Sequence, residues 1–355
     1  MYKLYINVTN IIMISILRKF LYKKVALQTP KTLFVNSNEF KNNDPSYLFK
    51  NFGKLNEDKI FYVIKRSPGT GLFSNLAFVL NHMLICKKLG FIPVVDMENY
   101  ITIYNEKKKI KNTLNSWEYY FKKLSKYSLN EVYKSKNVLI TSDKFYNFFT
   151  YNIVENENLV NILQNEIEIH STLYKTYKKI CSIFNNKKIL GVHFRGTSYK
   201  KSPGHPLPAT KKQMLNMTKK IIKEEKIEKI FLVTEELDYL NFFKKEFGKM
   251  LIYLKSPYRS NTNDAFEIYP RKFHRYKLGR EILIETLLLS TCDAFLYLRT
   301  NVSSASMSFN INKNQKRFEI NNGFNSQNIL ISQFFWYIKK ILPAGLGGFK
   351  DKDIL

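Results

Sequence analysis

The stretch Lys187–Pro208, "KKILGVHFRGTSYKKSPGHPLP", begins as a buried strand and ends as a polar loop. Alternate residues of a strand share a face, so His193 and Arg195 lie on one side and Val192 and Phe194 on the other. The two polar side chains therefore emerge together where the strand ends. Because ligands of open α/β sheets collect at the carboxyl ends of strands, we predict a binding site in this loop.

Strand and helix patterns on both sides of this stretch indicate an α/β fold. Downstream, a helix over about 210–225 is followed by the strand "KIFLV", a helix ending at Gly248, the strand "MLIYL", a helix near 278–290 and the strand "DAFLYL". Upstream, "IFYVIKR", a glycine turn, "LFSNLAFVLNHMLICKKLG" and "FIPVVD" form another β-loop-α-β unit. Such units predict parallel sheets covered by helices.

These patterns divide the chain into four segments. We predict a partly irregular leader at 1–58, an N-terminal α/β domain at 59–186, a C-terminal α/β domain at 187–325, and a closing helix with a tail at 326–355. Within the first domain, residues 100–186 are interpreted as charged helical stretches and aromatic clusters.

The charge of the chain is strongly basic, with 57 Lys and Arg against 29 Asp and Glu and a formal net charge of +28. Such a balance attracts phosphates, nucleic acid or anionic membranes. The basic residues are spread over surface-like positions, and no helix or ribbon combines basic and aromatic residues on one face, so we predict no nucleic-acid partner. The three cysteines lack C-x-x-C spacing, which favours reduced thiols in a cytoplasmic protein and predicts no cysteine zinc site.

The N-terminal run Leu4–Leu17 is apolar but is interrupted by Asn7, Thr9 and Asn10. It is shorter than the roughly 20 residues that a membrane-spanning helix needs. Basic residues follow the run rather than precede it, unlike in a signal peptide. We predict a disordered or docked leader. The pattern leaves open an interfacial anchor that would place the protein peripherally on the anionic inner face of a membrane.

The loop Ser67–Asn75, "SPGTGLFSN", follows the first strand of the upstream unit. Gly69 and Gly71 permit close backbone approach to a phosphate or a sugar hydroxyl at the N-terminus of the next helix. The loop also nearly matches G-x-G-x-x-G, with Ser74 at the third glycine position and Asp96 ending the next strand. An NAD-dependent oxidoreductase is therefore an alternative.

Two later loops also follow strands and open helices. "VTEE" (233–236) offers carboxylates that suit the N–H groups of guanine, and "LRTNVSSAS" (298–306) offers hydroxyls and helix amides that suit phosphate oxygens. Ordinary helix caps explain either loop alone equally well. Arg195 presents a planar fork of donors that suits a pyrophosphate.

Together these motifs resemble the fucosyltransferase superfamily, which includes nodulation, core α-1,6- and protein O-fucosyltransferases. The resemblance covers about 60–320 and is most specific in "GVHFRGTS" with the downstream "GHP", which is similar to the family's H-x-R-x-T-D motif. It extends to "GTGLFSNL", "LVTEE" and "RTNVSSAS". The resemblance implies a GT-B fold, in which two Rossmann-like α/β domains face each other across a cleft, with the acceptor on the N-terminal side.

The resemblance also implies a donor, GDP-fucose, bound in the cleft, and inverting, metal-independent transfer to an oligosaccharide or lipid-linked glycan. Arg195 would hold the pyrophosphate, and His193 and Glu236 would approach the guanosine. Ser303 and Ser304 would bind phosphate. The remaining implied donor contacts are Thr197, Asn75, Gly69 and Gly71.

One position departs from the family motif, because Ser198 stands where the motif ends in Asp. A non-catalytic sugar-nucleotide binder, or one of altered specificity, is therefore a further alternative. His205 is the candidate general base, since the pKa of imidazole suits proton transfer near neutrality. No metal or other cofactor is expected, and the one D-x-D pair, Asp351 and Asp353, lies in the tail.

Overall fold

A computed structural model describes residues 47–141, 149–184, 187–262 and 265–350 of the chain, apart from the side chains of 47–49 and 197. The apolar run of the predicted leader lies outside the described residues, and so do Asp351 and Asp353 of the tail. Residues 47–184 are called the first half below, and residues 187–350 the second half.

The first half consists of a small sheet and the helices around it. Its strands are β1 (Tyr47–Lys50), β2 (Leu55–Ile64), β3 (Ile92–Val95) and β4 (Ser135–Thr141). Its helices are α1 (Leu72–Leu89), α2 (Leu129–Val132), α3 (Glu157–Glu166) and α4 (Ser171–Cys181).

The second half alternates strands and helices more regularly. Its strands are β5 (Ile189–His193), β6 (Lys229–Val233), β7 (Leu251–Ile252), β8 (Ala294–Tyr297) and β9 (Lys316–Glu319). Its helices are α5 (Lys211–Glu225), α6 (Leu237–Phe247), α7 (His274–Leu289), α8 (Asn301–Phe309) and α9 (Ile329–Ile341).

The strand orders locate the places where ligands bind in such sheets. The first sheet has the order β1-β4-β2-β3, in which only β1 is antiparallel. The second has the order β7-β6-β5-β8-β9 and is parallel throughout, which is the 3-2-1-4-5 order of a Rossmann-like sheet. This arrangement confirms the predicted fold class of two α/β units with parallel strands. The order reverses between β5 and β8, and ligand crevices form at such switch points.

Helix boundaries follow local sequence signals. Thr210 and Gln213 form a capping box at the start of α5. Gly90, with φ of 68°, ends α1 in the left-handed conformation that glycine adopts without strain. Asn328 accepts hydrogen bonds from the first amides of α9, and Pro343 follows the end of that helix.

Three strands were not predicted from the sequence. The interval 100–186, interpreted as helical and aromatic, contains β4, which pairs with both β1 and β2. β1 begins at residue 47 and β2 at residue 55, so the first sheet starts inside the segment assigned to the leader. β9 is a polar and largely exposed edge strand, "KRFE", and such strands lack the apolar run that marks a buried one.

One hydrophobic cluster joins the two halves. It includes Leu76 and Phe78 of α1 together with Leu287, Phe295 and Ala305 of the second half. Helix α1 is buried on nearly all sides, as expected for a helix enclosed by a core. Within the described part of the chain, no helix combines the length and the hydropathy that crossing a membrane requires.

Gly279→Ala tests the contact between the halves. A Cβ at Gly279 in α7 would overlap the hydroxyl and ring of Tyr120, which is buried in the first half. Overpacking of this kind costs about 1–3 kcal/mol, so we expect the variant to have a lower melting temperature by circular dichroism. The control is Gly345→Ala, where an added Cβ meets nothing within 4 Å. Equal melting temperatures for the two variants would contradict the close packing of α7 on Tyr120.

Candidate functional site

Arg195 lies just beyond the end of β5 and is fixed by three neighbours. Its Nη1 pairs with Oε1 of Glu235 at 2.5 Å, and its Nη2 donates to the Ser198 hydroxyl at 3.0 Å. The guanidinium lies over the Tyr199 ring, 4.7 Å from the centroid. The Arg195 side chain is 25% exposed. The guanidinium is therefore held in one orientation on a side chain that is only partly buried.

The charges of this ion pair are maintained in spite of its partial burial. Burial by itself lowers the pKa of Arg195, but Glu235 and Tyr199 oppose it, and the pKa lies above the ordinary value. Burial by itself raises the pKa of Glu235. The charge of Arg195 and the backbone N–H of Gly196, which donates to Glu235 Oε1 at 3.0 Å, lower that pKa. Their effect is the larger one, so the pKa of Glu235 lies below its usual range. Both groups are charged at neutral pH.

Gly196 permits the close approach of the second acidic residue. A Cβ at this position would overlap the Glu236 carboxylate and lie 2.7 Å from Cε2 of Tyr239. The Glu236 carboxylate accepts from Nζ of Lys200 at 2.8 Å, and this ammonium also lies 4.9 Å from the Tyr239 ring centroid. Glu236 is thus joined to the Arg195 loop by an ion pair, and its contact with guanosine stays a prediction.

His193 bridges the switch point of the second sheet. It is 2% exposed, and its Nδ1 lies 3.5 Å from the Thr300 hydroxyl, which follows β8. Burial lowers the pKa of His193 to about 4; Glu235 raises it slightly and Arg195 lowers it further. The imidazole is therefore neutral at pH 7, so it contributes hydrogen-bonding atoms rather than charge.

The hydroxyls of Ser303 and Ser304 are engaged in hydrogen bonds within the protein. Ser303 Oγ donates to the carbonyls of Leu298 and Thr300, and it completes a capping box with Thr300. Ser304 Oγ accepts from the backbone N–H of Val154 in the first half at 3.2 Å. The phosphate contact of these hydroxyls stays a prediction. The groups that α8 offers to an anion are the N–H groups of its first turn.

The glycine loop of the first half is shaped by Asn75. Its Oδ1 accepts from the backbone N–H of Thr70 and from Nε of Arg66, both at 3.0 Å. Gly69 has φ of 67°, and a Cβ there would lie 2.8 Å from Asn75 Oδ1. Asn75 therefore holds the loop, and Gly69 allows that close approach. Gly71 begins α1, where an added Cβ would meet nothing within 4 Å.

Asp96 does not offer the carboxylate that a dinucleotide site needs. It is fully buried; Oδ1 accepts from the backbone N–H groups of Glu98 and Asn99, and Oδ2 accepts from the Tyr133 hydroxyl at 2.6 Å. These bonds make it a turn cap rather than a ribose ligand. This geometry argues against the oxidoreductase alternative.

Tyr104 connects the loops of the two halves. Its hydroxyl accepts from the Leu72 N–H at the start of α1 at 2.9 Å. Burial raises the pKa of Tyr104, and the positive charge of Arg195 opposes that rise. The Tyr104 ring also lies 5.1 Å from the Phe266 ring of the second half, measured between centroids.

His205, in the same loop as Arg195, is exposed to solvent. Its ring centroid lies 4.7 Å from that of Tyr199. Partial burial and the charge of Arg195 lower its pKa below 6.5, so the imidazole is neutral at pH 7. The backbone of Thr197 lies in the short 3₁₀ turn Thr197–Lys200, and its side chain is outside the described residues. No group of three or more potential metal ligands occurs among the residues that the structure describes.

The chain after β9 holds the loop 197–208 in place. The Ser332 hydroxyl donates to the Lys201 carbonyl at 3.0 Å, and Trp336 Nε1 donates to the Pro208 carbonyl at 2.7 Å. The backbone N–H of Asn325 donates to the His205 carbonyl at 2.8 Å. Helix α9, the predicted closing helix, is therefore a support for this loop.

Tyr199, Lys200 and Tyr104 were not singled out from the sequence, and Glu235 was included in "VTEE" without a partner being assigned to it. Alternation along β6 could have identified Glu235: Phe231 and Val233 face the cluster shared by the two halves. Glu235 is two positions after Val233, so alternation places it on the same side of the sheet as Val233 and Arg195. The partners of Tyr104 and Lys200 depend on tertiary structure and leave no local signal.

A cavity of about 360 Å³ lies apart from these loops, in the first half. It is lined by Lys111, Thr113, Glu118, Phe121, Lys122, Lys123 and His170. None of these residues belongs to the Arg195 loop or the glycine loop. We assign the candidate site to those two loops because charge, switch-point position and helix N-termini coincide there.

The sequence matches no protein-family model and no curated protein. The chain is similar to solved structures of fucosyltransferases. For NodZ from Bradyrhizobium the identity is 15%, with 71% of this chain and 92% of that chain covered and a TM-score of 0.42. For POFUT1 in complex with GDP-fucose the identity is 10%, with 75% of this chain and 99% of that chain covered and a TM-score of 0.43. For an Arabidopsis thaliana FUT1 variant in complex with GDP the identity is 9%, with 76% of this chain and 72% of that chain covered and a TM-score of 0.40.

The buried imidazole of His193 predicts a pH dependence of stability. Between its unfolded pKa of 6.5 and its folded pKa of about 4, the unfolded chain binds a proton that the folded chain does not. Stability therefore falls as pH falls through this window, by up to about 3 kcal/mol from this group. Urea unfolding at pH 7 and pH 4.5 should show a smaller loss for His193→Gln than for the wild type.

His205→Gln is the control, because that side chain is exposed and should contribute less to the slope. The remaining histidines titrate alike in all three proteins, so the difference isolates His193. Equal losses in the wild type and His193→Gln would show that His193 is not buried in its neutral form.

Proposed function

We propose that this chain is a glycosyltransferase that moves fucose from GDP-fucose to a hydroxyl of a glycan. The observation that carries the proposal is Arg195, oriented by Glu235 and Ser198 at the switch point of a 3-2-1-4-5 sheet. A fixed and partly exposed guanidinium in this position suits a diphosphate, because its fork of donors matches two phosphate oxygens at once.

The start of α8 supplies a second source of positive potential. The N–H groups of Asn301 and Val302, in the first turn, have no carbonyl partner within the helix. They carry the positive end of the helix dipole, and the link between His193 and Thr300 fixes that end beside β5. Arg195 and these amides together would stabilise the negative charge that develops on the departing diphosphate.

The first half would present the acceptor. Gly71 leaves open space at the start of α1. His205 would remove the proton from the acceptor hydroxyl, since its imidazole is neutral at pH 7 and accessible. The inverting and metal-independent character of the transfer, and the choice of guanosine and fucose, rest on the resemblance of "GVHFRGTS", "LVTEE" and "RTNVSSAS" to the fucosyltransferase motifs.

Glu235 provides an argument against the alternative of a non-catalytic sugar-nucleotide binder. Ser198 lacks the carboxylate found at the end of the family motif, but the Arg195 guanidinium already has a carboxylate partner in Glu235, with Ser198 as a second acceptor. The charge of the loop is therefore balanced without an acid at 198. This compensation favours an active enzyme over a binder that has lost its activity.

Arg195→Lys tests the diphosphate site. A lysine keeps the positive charge and can still pair with Glu235, but it loses the two-pronged fork. We expect GDP binding measured by titration calorimetry in EDTA to weaken by at least about tenfold. We expect hydrolysis or transfer of GDP-fucose to fall by about a hundredfold or more.

The matched control is Arg317→Lys, an exposed arginine on β9. It should bind GDP as the wild type does, since a surface arginine of this kind contributes little. Wild-type GDP binding in a folded Arg195→Lys variant would remove Arg195 from the donor site. Binding of NAD in place of GDP would overturn the proposed substrate class.

Ser198→Asp tests whether Glu235 compensates for the missing acid. Because Arg195 already has one carboxylate partner, a second would add negative charge where the diphosphate is to bind. We therefore expect GDP affinity to fall, with the fold retained. Ser198→Ala, which removes only one hydrogen bond to Arg195, is the control and should weaken GDP binding less. Higher activity in Ser198→Asp would show instead that the missing acid is a genuine loss.

A further inference from the structure

Helix α9 exposes a continuous apolar surface, named here the outer face of α9. Each of its side chains is between 45% and 67% exposed. The outer face consists of Leu330, Ile331, Phe334, Tyr337, Ile338 and Ile341. Leu346, 70% exposed, extends it beyond the helix. Soluble monomers rarely carry a contiguous apolar patch of this kind without using it.

The outer face is opposite to the side by which α9 packs on the protein. Ser332 and Trp336 are buried and bind the loop 197–208. Residues at the spacings 331, 334, 338 and 341 lie in one stripe along a helix of 3.6 residues per turn. The helix therefore has two separate apolar sides, of which the protein itself covers only one.

The charged residues of the segment that carries the outer face have a single sign. From Ile320 to Lys350 the sequence contains no Asp or Glu, and it contains Lys339, Lys340 and Lys350. Nζ of Lys339 lies 4.8 Å from the Phe335 ring centroid, and Nζ of Lys340 lies 5.3 Å from that of Trp336, two rings of the cluster by which α9 packs on the protein. An apolar stripe on a helix whose own charged residues are both lysines, on a chain with net charge +28, complements a surface that is apolar inside and negative at its edge.

We propose that the outer face of α9 docks on an anionic lipid membrane, with the helix lying in the plane of the interface. The apolar side chains enter the boundary between headgroups and acyl chains, and the lysines contact anionic headgroups. A second copy of the chain fits less well, because a symmetric contact would bring the lysines of both copies together without an acidic partner from this segment. The proposal rests on α9 alone and is independent of the proposed transferase activity.

The test measures co-sedimentation of the full chain with vesicles of phosphatidylcholine alone and of phosphatidylcholine mixed with phosphatidylglycerol. We expect the wild type to bind the anionic vesicles at least about tenfold more tightly than the neutral ones. Phe334→Ser/Ile338→Ser should lower that affinity by at least about tenfold, since two apolar side chains no longer enter the interface. Lys339→Gln/Lys340→Gln should reduce the preference for anionic vesicles.

Ile101→Ser is the matched control, because Ile101 is an exposed apolar residue of the first half. It should bind vesicles as the wild type does. All substituted side chains of the outer face are exposed, so melting temperatures should remain close to wild type. Equal vesicle binding by Phe334→Ser/Ile338→Ser and the wild type would overturn the proposal and assign any binding to another segment. A wild-type dimer in light scattering that this variant abolishes would also overturn it, in favour of self-association.

Discussion

The ion pair between Arg195 and Glu235 is the constraint on which the candidate site depends. A guanidinium that is three-quarters withdrawn from solvent needs an acidic partner, since an unpaired charge in such a place is costly. Glu235 also accepts from the Gly196 N–H, and Gly196 must lack a side chain because Glu236 and Tyr239 press against it. The course of the chain beyond β5 follows from this arrangement.

The same arrangement decides which groups are left for a ligand. The serines and threonines near the site use their hydroxyls to cap helices and join elements, as Thr300, Ser303 and Ser304 do. Asn75 and Asp96 are likewise engaged in turns of the first half. Interior polar groups must be satisfied, so much of the polarity that marks these loops supports the loops themselves. The proposed function accordingly assigns its chemistry to Arg195, the first amides of α8 and the imidazole of His205.

The sequence predicted the elements whose patterns are local and strong. The apolar runs of β5, β6 and β8 and the periodicity of α1 and α5 identified the α/β units, and alternation placed His193 and Arg195 together. The edge strands β1 and β9 gave no comparable signal, because a half-exposed strand does not need an apolar run. Glu235 could have been separated from Glu236 by the alternation of β6. By contrast, the inward direction of Ser303 and Ser304 depends on carbonyls and amides that only the folded chain brings near, such as the Val154 N–H from the first half.

The hydrophobic cluster shared by the two halves limits how the molecule can move. Swinging the halves apart would expose the contacts of α1 with α7 and α8 to water, at a cost of roughly 25 cal/mol for each Å² of apolar surface. A hinge of this kind would be rarely populated. Ligand exchange would therefore be governed by small displacements of the loops around Arg195 and Gly69, which are faster and smaller than domain closure. The rate at which product leaves would then report on how firmly α9 holds the loop 197–208, rather than on the stiffness of an interdomain linker.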